Sequence, residues 1–148
     1  ILNKLGTPCL IHQPNYNMFD RWVENGLLDL LQNSGVGSIC FSPLAQGLLT
    51  NKYMNGLPKE SRAVKDSPFL NKNQVLEKLP QIKKLNEIAL TRNQSLAQMA
   101  ISWILRDDRI TSVLIGASRT EQILDSLKAI DNTEFSTDEI EKIENILT

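Results

Sequence analysis

Histidine, cysteine and charge imbalance are what this sequence has least of, and each shortage excludes a class of function. A single histidine, His12, and two widely separated cysteines, Cys9 and Cys40, leave no His/Cys/carboxylate cluster at metal-ligand spacing. The cysteines lack a CxxC neighbour and lie in apolar runs, so they are expected as two reduced, buried thiols in a reducing compartment, the cytoplasm. Sixteen Lys and Arg against 17 Asp and Glu give a net charge of −1, too little positive charge for a phosphate backbone or an anionic membrane. Neither nucleic acid nor membrane is therefore expected as a partner. No run approaches the roughly 18 to 20 apolar residues of a membrane span, and no secretory signal pattern opens the chain. A Gly-x-Ser-x-Gly elbow, a phosphate-loop lysine motif and a Gly-x-Gly-x-x-Gly fingerprint are missing too.

What is there fits one α/β unit of 148 residues, 41% of them hydrophobic, with length enough for a single core. Residues 1–6 read as the end of a helix, with Lys4 in its last turn and Gly6 as its cap. The chain is therefore expected to be a piece of a longer protein, cut between a helix and the next strand. Residues 9–13 predict a buried strand closed by Pro14. The spacing of Phe19, Trp22, Val23, Leu27, Leu30 and Leu31 predicts one amphipathic helix over 19–32, ended by Asn33-Ser34-Gly35. A second strand is predicted over 36–41, and strand, helix, strand implies parallel pairing.

Residues 42–73 have no sustained period and are long for a connection inside a compact domain, which marks them as functional or disordered. Their portion from Asn51 to Asn73 holds five cations, Lys52, Lys59, Arg62, Lys65 and Lys72, against Glu60 and Asp66. Positive charge is concentrated there. A helix then starts or bends at Pro80. Ser95 with Gln98 predicts a capping box opening the next helix, whose Met99 and Trp103 belong to the core. A third strand over 110–115, a helix over 118–130 and a last helix capped by Ser136 and Glu139 complete a βα-βαα-βαα order. All three strands are apolar enough to be covered on both faces.

In parallel α/β folds, ligands collect beyond the carboxyl ends of the strands, and three segments qualify. Gly116-Ala117-Ser118-Arg119-Thr120-Glu121-Gln122 admits two readings. Ser118 and Glu121 can form a capping box, or the turn can hold a phosphate on its free N–H groups, with Ser118 and Arg119 assisting. The second segment, Phe41-Ser42-Pro43-Leu44-Ala45-Gln46-Gly47, follows a strand directly, and taken by itself it reads as a packed Phe and an ordinary turn. The third is His12-Gln13-Pro14. Strand alternation sends His12 and Gln13 to opposite sides, so His12 is not read as catalytic.

Together, Gln13-Pro14-Asn15-Tyr16-Asn17, the run from Phe41 to Tyr53, Ser61-Arg62, Ser95-Leu96-Ala97-Gln98-Met99-Ala100 and Val113-Leu114-Ile115-Gly116-Ala117-Ser118 resemble the aldo-keto reductase family. The branch that contains potassium-channel β-subunits and bacterial L-glyceraldehyde 3-phosphate reductases is the most similar. The resemblance implies the C-terminal portion of a (β/α)8 barrel, about three βα units plus the closing helix, as one unit over 1–148, with the N-terminal part of the barrel as its missing partner. It implies NADPH as cofactor and a small carbonyl compound as substrate, such as L-glyceraldehyde 3-phosphate or a methylglyoxal-like molecule. By similarity, Gln13 hydrogen-bonds the nicotinamide carboxamide and Phe41 stacks on its ring. Ser42 and Leu44 hold the pyrophosphate, with Lys52 and Arg62 closing over it. Gly116, Ser118, Arg119 and Gln122 receive the 2′-phosphate and adenosine end, and Asp125 the adenine.

The chain departs from the family pattern at Asn51, where related members often carry Gly, and at Asp125 and Ser126, where they often carry Glu and Asn. The family's catalytic Asp, Tyr, Lys and His fall in earlier βα units with no counterpart here, and Tyr16, Tyr53, Lys52 and His12 do not replace them. No catalytic residue is assigned, and this chain alone is expected to be inactive. Two other readings stand beside the reductase: a β-subunit-like module that binds NADPH and docks on a partner, and a piece without independent function that self-assembles, with a homo-oligomer possible in either case.

Overall fold

The computed structural model describes residues 2–58, 61, 63–64, 68 and 70–148, with the backbone alone at Asn3. Three parallel strands lie in the order β1 (Ile11–His12), β2 (Gly37–Cys40), β3 (Ser112–Val113). Ile11 faces Gly37 and His12 faces Ser38, while Ile39 faces Ser112 and Cys40 faces Val113. Helix α1 (Leu27–Asn33) connects β1 to β2, and α2 (Lys72–Thr91) with α3 (Leu96–Leu105) connects β2 to β3. Helices α4 (Thr120–Leu127) and α5 (Thr137–Leu147) follow. The βα-βαα-βαα order is the expected one, and Gly6, at φ 65°, ends a 3-10 turn over Leu2–Leu5.

The strands are shorter than their hydrophobicity predicts, and they are not covered on both faces. Leu10 is 68% exposed, Ile11 55% and Leu114 43%. Within the described residues β1 and β3 each have a neighbour on one side alone, so the ladder that defines a strand runs out quickly. Cys9 corrects a second expectation: both thiols are free, but Cys9 is exposed and Cys40 alone is buried.

The helix expected over 19–32 is broken. A 3-10 turn, Trp22–Glu24, is followed by Gly26 at φ 85°, a left-handed conformation from which α1 starts. The apolar period continues across the break because both pieces face the same core, so spacing alone does not reveal it. Helix α1 ends as its sequence predicts, with Gly35 at φ 65°, the Val36 N–H on Leu31 O at 2.9 Å and the Gly35 N–H on Gln32 O at 3.1 Å, a Schellman closure. The next helix does not start at Pro80. Helix α2 begins at an Asn71–Gln74 capping box and runs through Pro80, whose missing donor falls opposite the Leu76 turn, where the chain is exposed and water can take the freed carbonyl.

Helix α3 is the spine of the core. Leu96, Met99, Trp103 and Ile104 are fully buried, with Ile82 and Leu85 of α2, Tyr16, Leu28 and Ile143 around them. The Arg106 guanidinium lies 3.9 Å from the centre of the Trp103 ring and that of Arg21 5.1 Å, and Arg106 also donates to Trp103 O. Arg21 then joins Glu24 at 2.7 Å and Glu144 of α5 at 2.6 Å. Arg92, 8% exposed, closes the other end. It donates to Glu139 at 2.8 Å, to Asn132 O at 3.0 Å and to Glu134 O at 2.9 Å, and stacks 3.6 Å from the Phe135 ring centre.

Burial pushes the Glu24 carboxyl up, but hydrogen bonds from Arg21 and Tyr16 outweigh it and hold Glu24 below the ordinary carboxylate range. Glu139 behaves likewise, burial being outweighed by the Ser136 backbone and Arg92. A carboxyl lowered in the folded state adds stability above its unfolded pKa, and that stability disappears as pH falls through the folded value. The urea midpoint should therefore drop as pH falls from about 5 toward about 3. Glu24→Gln should lower the midpoint at neutral pH and flatten the acid slope, which urea titrations across that range would check; an unchanged slope would count against the ion pair.

Candidate functional site

The carboxyl edge of the sheet is where the exposed chemistry gathers. Beyond β1 and β2 the parallel register continues as a bridge between Asn15 and Phe41. The Phe41 N–H donates to Pro14 O at 2.9 Å, and the Tyr16 N–H to Phe41 O at 3.3 Å. On the other side of β2, the Leu114 N–H donates to Cys40 O at 2.8 Å. Three exits thus lie along one edge, carrying Gln13, Phe41 and the 114–116 turn. Gln13 is exposed and Phe41 is 41% exposed, so an aromatic face at the strand end meets solvent instead of core. His12 points the other way, as alternation requires, and its Nε2 is buried without a hydrogen-bond partner among the described residues.

The loop after Phe41 is strained. Ser42 has φ 54°, Ala45 46°, Gln46 59° and Gly47 95°, three of them non-glycine residues in a region that costs an L-residue roughly 1–2 kcal/mol. Ser42 O accepts from the Ala45 N–H at 3.0 Å and from Asn17 Nδ2 at 3.1 Å, and Gln46 Nε2 donates to Ser42 Oγ at 3.1 Å. Leu44 O accepts from the Gly47 and Leu49 N–H groups at 2.8 and 3.2 Å. Thr50 Oγ1 donates to Gly47 O at 2.7 Å and accepts from the Lys52 N–H at 3.2 Å, so the turn that presents Lys52 is capped. Lys52 is exposed, its ammonium 5.7 Å from the Tyr53 ring centre, and it pairs with no carboxylate among the described residues. Arg62 lies outside the described residues. Burial pushes the Cys40 thiol, just before Phe41, up to about 11, so it stays protonated at neutral pH.

At the third exit the expected Ser118–Glu121 capping box does not form. Arg119, at φ −145° and ψ 149°, takes the N-cap position of α4 and makes no side-chain cap. Gln122 folds back instead, its Oε1 accepting from the Ser118 N–H at 2.9 Å and from Ser118 Oγ at 3.3 Å. The extended Arg119 moves the helix start one residue on, which puts Glu121 out of register with Ser118 and brings Gln122 within reach. The helix also stops at Leu127, continued by a 3-10 turn over Lys128–Asp131. The uncapped end leaves backbone N–H groups without intrahelical partners. Gly116, Ser118, Arg119 and Gln122 are exposed, and Arg119 has no ion pair among the described residues. Space around Gly116 is open: among the described residues, none beyond its two chain neighbours comes within 4 Å of where a Cβ would stand.

Asp125 is tied to α3. Gln98 Nε2 donates to its Oδ1 at 2.6 Å and to its backbone O at 3.2 Å, and Ser95 Oγ to its Oδ2 at 3.3 Å. Its carboxylate sits at the N-terminus of α3 and fastens α4 there. Asn17, 3% exposed, is a site residue to which the sequence reading gives no role. It lies in the Gln13–Asn17 block, but an Asn in a loop carries no signal of which carbonyl it will find.

Among the described residues no group of three His, Cys, Asp or Glu is placed to hold a metal, and no helix is long and apolar enough to cross a membrane. The donor set instead suits an elongated anionic ligand with a flat ring: an exposed aromatic at one exit, two cations without carboxylate partners, and an uncapped helix end. The whole sequence, residues 1–148, matches the Aldo/keto reductase family.

The chain belongs to the aldo/keto reductase family.

Over 149 residues it is 51% identical to the L-glyceraldehyde 3-phosphate reductase of Escherichia coli (strain K12), covering 97% of this chain and 43% of that protein. It is 36% identical over 143 residues to a probable voltage-gated potassium channel subunit beta of Oryza sativa subsp. japonica, covering 93% of this chain and 44% of that one. The glycerol dehydrogenase of Gluconobacter oxydans superposes with a TM-score of 0.76 at 23% identity, over 93% of this chain and 42% of its own. The holo form of an aldo-keto reductase of Bacillus halodurans superposes at 0.69 and 20% identity, over 96% of this chain and 44% of its own. These likenesses establish the fold: the three-stranded sheet and its helices are a portion of an aldo/keto reductase barrel. The chain spans less than half the length of the relatives it matches.

The left-handed positions in the Ser42–Gly47 loop and before α1 yield a pair of opposite expectations. Ala45→Gly should leave stability unchanged or raise it by up to about 1 kcal/mol, since glycine adopts positive φ without a Cβ clash. Gly26→Ala, at φ 85°, should cost about 1 kcal/mol or more for the same reason. Urea unfolding of both variants measures the contrast.

Proposed function

We propose that this chain is the cofactor-binding, C-terminal part of an NADPH-dependent carbonyl reductase, and that the N-terminal part of the barrel supplies the acid–base residues. The observation that carries the reading is the alignment of Phe41, the Ser42–Gly47 loop and Arg119 along one sheet edge, in a chain with 51% identity to an L-glyceraldehyde 3-phosphate reductase. When bound, NADPH supplies a hydride for an aldehyde or ketone, with L-glyceraldehyde 3-phosphate and methylglyoxal-like compounds as first candidates.

The residues of this chain divide the work of holding that cofactor. Phe41 offers its exposed ring as a platform for the nicotinamide, and Gln13 an amide for the carboxamide. Ser42 and the Leu44 turn face the pyrophosphate, with Lys52 and Arg62 giving charge to the same group. Gly116, Ser118, Arg119 and Gln122 receive the 2′-phosphate: an anion at the uncapped α4 end satisfies free N–H groups and offsets the charge of Arg119. Asp125, fixed by Gln98 and Ser95, keeps further lone pairs on its carboxylate for the adenine amino group while it holds α4 in place. We place the protein in the cytoplasm.

A second reading, a cofactor-holding partner module, is favoured by the 36% identity to a potassium channel β-subunit. Turnover separates the two. The reductase should consume NADPH with small aldehydes, and silence toward a broad aldehyde panel would favour the module. Calorimetric titration of the protein with NADPH and NADH tests the cofactor itself. NADPH should bind more tightly, added salt should weaken it, and Arg119→Ala should reduce its affinity about tenfold or more while leaving NADH nearly unchanged. Equal affinities insensitive to Arg119 would refute the assignment.

A further inference from the structure

We infer that Asn17 is a positioning residue for the nicotinamide platform, acting through Ser42; the inference rests on the reading of Phe41 as that platform. Asn17 is 3% exposed and contacts no open surface, so its amide serves the protein's own backbone. Its Nδ2 donates to Ser42 O at 3.1 Å across 25 residues of sequence, and lies 3.5 Å from Asn15 Oδ1. Its Oδ1 accepts from the Phe19 N–H at 3.0 Å. Its backbone exchanges hydrogen bonds with Asp20 at 3.1 and 3.0 Å. Asn15 in turn donates to Asp20 Oδ2 at 2.6 Å and bridges Phe41. The turn that follows β1 is a rigid bracket, and one arm of it reaches the loop that follows β2.

What that arm touches is the residue most in need of restraint. Ser42 is held at φ 54° immediately before Pro43, where the backbone is already confined. Conformations of this kind persist when the surroundings over-determine them. Here the Ala45 N–H and the Asn17 amide both converge on Ser42 O. The direction in which the chain leaves Phe41 is therefore fixed from both sides: the β-bridge to Asn15 before the ring and the Asn17 amide after it. Releasing the second leaves the Ser42 carbonyl held by the Ala45 N–H alone, so the exit from Phe41 is tied to the β1 side only by the bridge to Asn15. The adenosine end at Arg119 shares none of these bonds, so loss of Asn17 should be felt at one end of the cofactor and not at the other.

The test uses two variants in the protein as it occurs. Asn17→Ser is neutral and keeps a local acceptor for the Phe19 N–H, but is too short to reach Ser42. Asn17→Asp keeps the shape and the acceptor but loses the donor. Binding of NADPH and of 2′,5′-ADP, which carries the 2′-phosphate without the nicotinamide, is measured by calorimetry. Transfer of deuterium from 4R- and 4S-labelled NADPH to the carbonyl carbon of a small aldehyde, measured with the N-terminal part of the barrel present, reports which ring face is presented. Both variants should weaken NADPH about tenfold or more, leave 2′,5′-ADP within about twofold, and relax the facial selectivity of transfer. Equal weakening of both ligands, or unaltered NADPH binding and selectivity, would overturn the role of Asn17 while the cofactor reading stands. If one variant fails to fold, the other decides by the same two ligands. Failure of the unaltered protein to bind either ligand would overturn the cofactor reading, and this inference with it.

Discussion

Two backbone hydrogen bonds, from the Phe41 N–H to Pro14 O and from the Tyr16 N–H to Phe41 O, align the first two chain exits at the carboxyl edge of the sheet. They extend the β1–β2 register past the strands proper, so the chain leaves both strands in step. The same register sets Phe41 beside Asn15, two residues beyond Gln13. The Cys40–Leu114 bond carries the alignment to the third exit. With parallel strands, all three loops must emerge on one side, and a long ligand can lie across them.

Stability and chemistry are kept apart in space. The α3 spine with Trp103, the Arg21–Glu24–Glu144 group and the Arg92 clamp form the packed side, where charges are paired and most apolar groups are dry. At the carboxyl edge lie an exposed aromatic, Lys52 and Arg119 without carboxylate partners among the described residues, and backbone in left-handed conformations. Such an arrangement is unfavourable for the protein alone, and it becomes favourable where an anionic ligand compensates it. Asp125 spans the two regions. Its carboxylate binds the start of α3, and so sets where the uncapped end of α4 stands.

Much of this was legible in the sequence. The Ser95–Gln98 and Ser136–Glu139 boxes form as written, because a capping box is local and self-contained. Strand order, core positions such as Met99 and Trp103, and the loops that carry the candidate site followed from periodicity and from family resemblance. Features that depend on distant or competing partners were not readable. The break at Gly26 hides under an unbroken apolar period. The left-handed Ser42, Ala45 and Gln46 are invisible because their residue types do not announce positive φ, and Ser42 is held by Asn17, 25 residues away. At Ser118, two side chains could answer the cap, and Gln122 prevailed over Glu121 because Arg119 is extended. Exposure of Cys9, Leu10 and Ile11 reflects a sheet edge with no neighbour among the described residues, which hydrophobicity alone reads as a covered strand.

Amide hydrogen exchange with and without NADPH tests the central claim most directly, since it maps contact and ordering along the whole backbone. The account predicts that NADPH slows exchange in the segments around Phe41–Lys52 and Gly116–Gln122 and leaves α2 and α5 unchanged. Protection confined to other segments, or none at the carboxyl edge of the sheet at saturating NADPH, would contradict it.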